Sequence, residues 1–208
     1  RANADAVMVN LNSADFQTID KTLATLKTLP WGVSINDLTA FEARQLVEKG
    51  SDYIVFQSMS TQASLLNEED LGVIAPVMPN ISDETMRALS ELPIDAIMFS
   101  PNLENLPLTF DEAINLQKVL GLLNKPLLVG ISNKANRNDI ELLRNIGVAG
   151  LILDLNTETD IDKIAAIRKT IDGLPNSKSR WIHGDTLIPS AGNEISSGFD
   201  IPDENDDF

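Results

Sequence analysis

The sequence of 208 residues contains no cysteine and a single histidine, His183. Without cysteine the chain has no disulfide, no thiolate nucleophile and no cysteine-ligated zinc or iron–sulfur cluster. A metal centre of another kind would need clustered histidines and carboxylates. The spacing of the acids shows no such cluster, and no nucleotide-binding or zinc-protease motif occurs. We therefore predict neither a metal nor a cofactor.

Basic residues are scarce as well: 16 Lys and Arg stand against 31 Asp and Glu, for a formal net charge of −15. A chain this acidic repels phosphate backbones and anionic lipid, so we expect no nucleic-acid partner and no membrane partner. No apolar run approaches the roughly 20 residues that span a bilayer, and no charged-then-apolar leader opens the sequence. A cytoplasmic protein is expected. The first residue is Arg1, and we expect the sequence to begin inside a longer protein. The oligomeric state is left open.

Helix-to-strand junctions repeat along the chain. They read "LVEKGSDYIVFQ" at 46–57, "LSELPIDAIMFS" at 89–100 and "LLRNIGVAGLILDL" at 142–155. Each is the end of an amphipathic helix, then Gly or Pro, then a short apolar strand. Glycine permits the left-handed residue that ends a helix, and proline cannot continue one. This self-similarity predicts a repeated strand–helix unit.

Seven strands are predicted, all as continuous apolar runs, which is typical of parallel strands covered on both faces. They are 6–10, 31–35, 53–57, 72–78, 96–100, 126–131 and 150–155. Amphipathic helices are predicted between them. The clearest are 14–28, 83–92 with Ser82 as N-cap, a helix opened by a Thr109–Glu112 capping box, and 160–172. Four methionines, Met59, Met78, Met86 and Met98, fall on predicted core positions.

Alternating strands and helices predict right-handed βαβ units and an α/β fold. Two architectures compete, an open doubly wound sheet and an eight-stranded TIM (β/α)8 barrel. No G-x-G-x-x-G follows the first strand, and seven visible units fit a barrel that lacks its first strand, so we predict the barrel. It should occupy residues 1–175. Residues 176–208, with seven acids and two bases, are predicted to be an acidic, largely disordered tail.

Two stretches resemble known barrels. The segment "GSDYIVFQSMSTQASLLNEEDLGVIAPVMPNISDETMRALSELPIDAIMF" resembles a group of uncharacterised bacterial TIM-barrel proteins, a likeness that extends over most of residues 1–175 and implies the fold without an activity. The segment "PLLVGISNKANRNDIELLRNIGVAGLILDL" resembles the seventh and eighth units of phosphate-binding barrels of the thiamine-phosphate-synthase and indole-glycerol-phosphate-synthase type.

This sequence departs from the second pattern at the phosphate-binding residues themselves. The two glycines that its pattern wants after strand seven read Val129-Gly130, and the expected Gly-Ser after strand eight reads Asp154-Leu155. A carboxylate at Asp154 would repel a phosphate dianion. Ser132, Asn133 and the helix start near Asn138 remain as sources of backbone N–H groups.

The strand ends are rich in amides and hydroxyls. Active sites of TIM barrels lie at the C-terminal ends of the strands. Neutral amides and hydroxyls at such a site can bind and orient a ligand, but they transfer no protons at pH 7. The predicted ligand-binding residues are Asn10, Asn36, Gln57, Asn102, Ser132 and Asn133. For each of them helix capping or turn formation is the alternative role.

Asp154 is the predicted catalytic residue. The pattern "LILDLN" places it within the last strand, with Leu153 and Leu155 on the opposite face. Because an unpaired carboxylate beneath the helix layer would be costly, we expect Asp154 to face the mouth of the barrel.

Two functions are compatible with this rim. The first is a barrel that binds a small polar metabolite at its C-terminal mouth, in a lyase- or isomerase-like way, with Asp154 as acid or base. The alternative is a non-catalytic structural or interaction barrel whose acidic tail contacts a basic partner. The scarcity of ionisable rim groups is the argument for the alternative, and whether the protein is an enzyme stays open at this point.

Overall fold

The structure is a computed structural model, and it falls into two units, Arg1–Ser177 and Lys178–Phe208. It describes residues 3–11, 19–20, 29–36, 38–58, 60–78, 81–99, 106–132, 134–155 and 158–175. The predicted tail at 176–208 and the predicted core residue Met59 lie outside the described residues, and the disorder of the tail stays a prediction.

Seven parallel strands form one sheet in which every strand pairs with the strands before and after it in the chain. The strands are β1 (Val7–Leu11), β2 (Trp31–Ile35), β3 (Tyr53–Phe56), β4 (Gly72–Val77), β5 (Ala96–Phe99), β6 (Leu127–Gly130) and β7 (Gly150–Ile152). This strand order never reverses, whereas the strand order of a doubly wound sheet does. The architecture is the predicted one, a curled TIM-type barrel that lacks one strand–helix unit.

Helices alternate with the strands. They are α1 (Ala40–Glu48), α2 (Asp83–Glu91), α3 (Phe110–Leu122), α4 (Arg137–Ile146) and α5 (Glu158–Asp172). A 3₁₀ helix, Ala63–Asn67, stands between β3 and β4 in place of an α-helix. Of the helix predicted at 14–28, Ile19 and Asp20 are described, and both are helical.

Side-chain caps begin α1, α2, α3 and α4, and the caps of α2 and α3 are the predicted ones. Ser82 accepts a hydrogen bond from the N–H of Thr85 at the start of α2, and Thr109 forms the predicted capping box with Glu112 at the start of α3. The helix after β2 is capped by Thr39, so the alternative role of Asn36 as its cap is wrong. A residue that follows a strand at once is too early to cap a helix that begins at Ala40.

The two faces of the sheet differ sharply. Alternate strand residues, among them Val33, Ile54, Ile97 and Val129, are fully buried and pack with helix residues such as Leu46 into one core. We call this the outer face of the sheet. Because successive side chains point to opposite faces, the residues between them form the inner face, which a barrel turns toward its axis.

The last strand is shorter than predicted. The prediction ran to residue 155, whereas β7 ends at Ile152, because its partner β6 ends at Gly130 and the last bond of this ladder is the one from the N–H of Ile131 to the carbonyl of Ile152. Asp154 therefore lies two residues beyond the strand, not within it.

The ends of the sheet approach each other through an ion pair. Arg168 of α5 donates to both carboxylate oxygens of Asp5, at 2.6 and 2.7 Å, although 163 residues separate them. This pair joins the last helix to the segment that precedes β1, as a curled sheet requires. Within the part of the chain that the structure describes, no helix has both the length and the apolar character needed to cross a membrane.

Two aspartates fasten the strand starts at the opposite end from the mouth. Asp52 accepts a hydrogen bond from the N–H of Trp31 at 2.9 Å, and Asp95 accepts one from the N–H of Val73 at 2.7 Å. Each aspartate stands just before a strand and binds the neighbouring strand. These contacts satisfy backbone N–H groups at the edge where each ladder begins.

Candidate functional site

Three polar residues lie close together in the backbone of the first three strands and at the end of the third. Asn10 is the register partner of Ser34, and the Nε2 of Gln57 donates to the Oγ of Ser34 at 2.9 Å. Ser34 is 3% exposed, whereas Asn10 is exposed and Gln57 is half-buried. We call Asn10, Ser34 and Gln57 the first polar cluster. It presents amide and hydroxyl groups from three adjacent strands.

Ser34 was not among the predicted site residues. Its signal in the sequence is a single serine between two buried apolar residues, Val33 and Ile35, in the strand "WGVSI". Because strand side chains alternate, a polar residue flanked by two buried ones must face the other way. That reasoning finds Ser34 without a structure.

Asn36 is exposed, and the group that it contributes is its backbone carbonyl rather than its side chain. Its backbone carbonyl accepts a bond from the hydroxyl of Thr61 at 3.4 Å, and the same hydroxyl lies 2.8 Å from the carbonyl of Ser58. The hydroxyls of Ser58 and Ser60 are 2.7 Å apart. These bonds hold the connection after β3 against the end of β2.

A second group of polar residues follows the last two strands. Ile131 and Leu153 both belong to the helix-facing core, and Ser132 and Asp154 are the residues that follow them, two residues beyond β6 and β7. The bond from the N–H of Ile131 to Ile152 continues the ladder up to these residues. Asp154 is exposed and Ser132 is half-buried. We call Ser132 and Asp154 the second polar pair.

The structure thus brings together some predicted site residues and leaves others outside its description. Asn10 is the register partner of Ser34, which accepts a hydrogen bond from Gln57, and Ser132 and Asp154 follow the adjacent strands β6 and β7. Asn102 and Asn133 lie outside the described residues. The predicted roles of all of these residues stay predictions.

Half-buried apolar side chains line the inner face below the polar groups. They include Met8, Met98, Leu128 and Ile152. Gly150 makes room for Leu128, whose Cδ2 would lie 2.8 Å from an added Cβ. Met86 is buried as predicted, but Met78 is 61% exposed and its prediction as a core residue is wrong. The reason is position, because Met78 follows the buried Val77 just beyond the end of β4.

Charged residues are few in the described connections between a strand and the next helix. Among the described residues between a strand end and the next helix, Asp154 is the acid and Lys134 is the base. No group of three or more histidines, aspartates or glutamates in the described part of the chain is arranged to hold a metal ion. Ligand binding at this mouth would therefore rest on neutral hydrogen-bonding groups and one carboxylate.

A separate concavity lies at the far end of the molecule. It is an open groove of about 440 Å³ between the C-terminal ends of α2 and α3. Its lining consists of Arg87, Ala88, Ser90, Glu91, Gly121, Leu122, Leu123 and Asn124. The hydroxyl of Ser90 and the side chain of Asn124 bond to each other at 2.7 Å. Their hydrogen-bonding capacity is partly used within the protein.

No family model matches the chain, and no curated protein matches its sequence. Solved structures do match. The 3-keto-L-gulonate-6-phosphate decarboxylase of Vibrio cholerae superposes with a TM-score of 0.62 at 17% identity, over 81% of this chain and 86% of that one. The KGPDC of Streptococcus mutans gives 0.58 at 8% identity, over 79% and 84%.

A third matching structure is an aldolase. The YdjI aldolase of Escherichia coli K12 gives a TM-score of 0.51 at 11% identity, over 82% of this chain and 90% of that one. All three are TIM-barrel enzymes. At these identities the likeness shows the fold alone. This chain has the aldolase-type barrel.

Proposed function

We propose that the protein binds a small polar metabolite at the C-terminal mouth of the barrel and acts on it in a lyase- or isomerase-like way. The observation that supports the proposal is the presence of polar residues at the strand ends, where barrels of this architecture act: the bonded Gln57 and Ser34 with Asn10 on the first strands, and Ser132 and Asp154 after the last two. The decarboxylase and aldolase barrels that superpose on the chain support a carbon-centred reaction by analogy of fold.

The chemistry assigned to each group follows from its hydrogen-bonding character. Asn10 and Gln57 would orient carbonyl and hydroxyl oxygens of the substrate, since amides both donate and accept. Ser34 and Ser132 would add hydroxyl contacts. Asp154, an exposed carboxylate just beyond β7, would take up the proton that leaves the substrate and return it to the product.

A ligand panel tests this proposal. Thermal unfolding of the purified protein would be followed with small sugars, keto acids and amino acids, each with and without a phosphate group. A ligand that binds the folded state raises the melting temperature. We expect at least one compound to stabilise the wild type and to lose most of that effect in Gln57→Leu. An unchanged melting temperature with every compound would contradict the proposal.

A second candidate function is a barrel that binds without catalysis. It is favoured by one observation, the single acid and single base among the described strand-to-helix connections. Asp154→Asn separates the two candidates. If Asp154 is the acid or base, the variant binds the ligand and turnover falls by a factor of about 100 or more. If no turnover of a bound compound is found even in the wild type, the non-catalytic function stands.

A further inference from the structure

We infer that the ligand of this mouth carries no phosphate group and presents hydroxyl or ammonium donors to Asp154, Ser34 and Gln57. This inference rests on the proposed function and names the chemical class of its ligand. The expected ligand therefore differs from the sugar phosphate for which the superposed Vibrio cholerae decarboxylase is named.

The first argument concerns the helix N-termini, which point toward the mouth in this architecture and are the usual seats for phosphate. Among the described residues, the N-termini of α1 to α4 are capped by the protein itself. In α4, the side chain of Asn136 accepts from the N–H groups of Asn138 and Asp139, and the carboxylate of Asp139 returns to the N–H of Asn136. The first turns of the other capped helices also carry acids, namely Glu42, Asp83, Glu84, Asp111 and Glu112. These carboxylates already occupy the favourable positive ends of the dipoles.

The second argument concerns the loop after β6, which would have to offer its backbone to a phosphate. Three of its described N–H groups are engaged. The N–H of Ile131 donates to Ile152, that of Ala135 donates to the carbonyl of Ser132, and that of Lys134 donates to the Oγ of Ser132. A phosphate would have to break these bonds to be held there.

The third argument concerns cations. Lys134 is the base in the described strand-to-helix connections, and Lys118 of α3 pairs with Asp83. Asp154, exposed just beyond β7, adds a negative charge that repels a dianion. No arginine fork of the kind that binds phosphate bidentately stands among the described residues of these connections.

What the mouth does offer matches an unphosphorylated ligand. The hydroxyl oxygen of Ser34 accepts from Gln57 and has a second lone pair, and the amide oxygen of Gln57 is also an acceptor. The carboxylate of Asp154 accepts only. Hydroxyl and ammonium groups satisfy these acceptors, and a compact carbon skeleton fits against Met98 and Ile152 on the half-buried inner face.

Matched ligand pairs that differ only by a phosphate group test the inference. Calorimetric titration would compare ribose with ribose 5-phosphate, glyceraldehyde with its 3-phosphate and serine with phosphoserine, on the wild type and on Asp154→Asn. For any pair that binds, we expect the unphosphorylated member to bind at least about tenfold more tightly to the wild type, because Asp154 repels the dianion. Asp154→Asn should narrow that ratio several-fold.

The outcomes separate the two claims. Equal or tighter binding of the phosphorylated members to the wild type would overturn this inference and leave binding at the mouth intact. A preference for the unphosphorylated members that Asp154→Asn does not narrow would also overturn it, since the charge of Asp154 would then play no part. If no member of any pair binds, the proposed function fails and the inference falls with it.

Discussion

The single tyrosine of the chain, Tyr53, opens β3 on the inner face, beside Gly32. An added Cβ on Gly32 would lie 2.4 Å from the Cδ2 of the Tyr53 ring, so glycine is needed where the ring covers β2. Burial, and secondly the negative charge of Asp52, raise the pKa of Tyr53 to about 12. Both causes disfavour the phenolate.

Titration of the tyrosine absorbance checks this environment without interference, because the chain has one tyrosine. We expect a midpoint near pH 12 in the folded protein and near 10 in denaturant. Since the folded pKa is raised above the unfolded one, the associated stability is complete below about pH 10 and is lost as the pH rises toward 12. Asp52→Asn should lower the midpoint only partly, since burial is the larger cause. A folded-state midpoint near 10 would show that the ring is solvated.

The bond between Gln57 and Ser34 is the other feature to be tested at the scale of single residues. Gln57→Leu removes the side-chain partner of a hydroxyl that is 3% exposed, and we expect it to lower the free energy of unfolding by about 1–3 kcal/mol. Adding Ser34→Ala to the Gln57→Leu variant should lower the free energy of unfolding by little more. Urea unfolding of the two single variants and the double variant gives the coupling energy, which we expect to be about 1 kcal/mol. Strict additivity would mean that the bond contributes nothing.

At the scale of elements, Asp52 and Asp95 join adjacent strands where each ladder begins. Asp95→Ala leaves the N–H of Val73 without its acceptor, so we expect the free energy of unfolding to fall by about 1–2 kcal/mol. Glu69→Ala is the matched control, an exposed acid in the turn before the same strand, and should change it by less than about 0.5 kcal/mol. Similar losses in the two variants would show that the bond to Val73 is not the cause.

Most elements could be predicted from the sequence because their signals are local. Apolar runs mark the strands, and the capping boxes and the Gly or Pro junctions mark the helix ends. The end of β7 escaped prediction because it depends on the length of β6, its partner. The 3₁₀ helix at Ala63–Asn67 escaped because the repeat predicted an α-helix between every pair of strands.

The candidate site residues were chosen for the same local reason. Gln57 and Asp154 stand at or near strand ends, and their roles stay predictions. Ser34 is marked by strand alternation, but its bond from Gln57 could not be predicted because it joins residues on different strands. The role of Asp52 and Asp95 was also missed, since each bonds to a backbone N–H that lies about twenty residues earlier in the chain.

At the scale of the whole molecule, the barrel depends on the curling of the sheet. Seven strands in a flat sheet would hold β1 and β7 roughly 29 Å apart, at about 4.8 Å for each of six spacings. The contact between Asp5 and Arg168 instead brings α5 to the segment before β1. Because the chain has no cysteine, engineered pairs can be labelled without background.

Cross-linking tests this curling directly. We expect a short bis-maleimide reagent to link Asp5→Cys with Arg168→Cys within one molecule. Asp5→Cys with Lys118→Cys, which is exposed on α3, serves as the control and should stay unlinked. Equal yields for the two pairs, or a link found only between molecules, would argue for an open sheet.

The claim on which this account rests is that the polar inner face at the strand ends is the binding site. Amide chemical-shift mapping by NMR, with the compound that most stabilises the protein in the ligand panel, tests it most directly. The account predicts that the largest shifts fall on Ser34, Gln57, Ser132 and Asp154, and that Asp154→Asn reduces them. Shifts confined to the groove between α2 and α3, around Arg87 and Gly121, would contradict it.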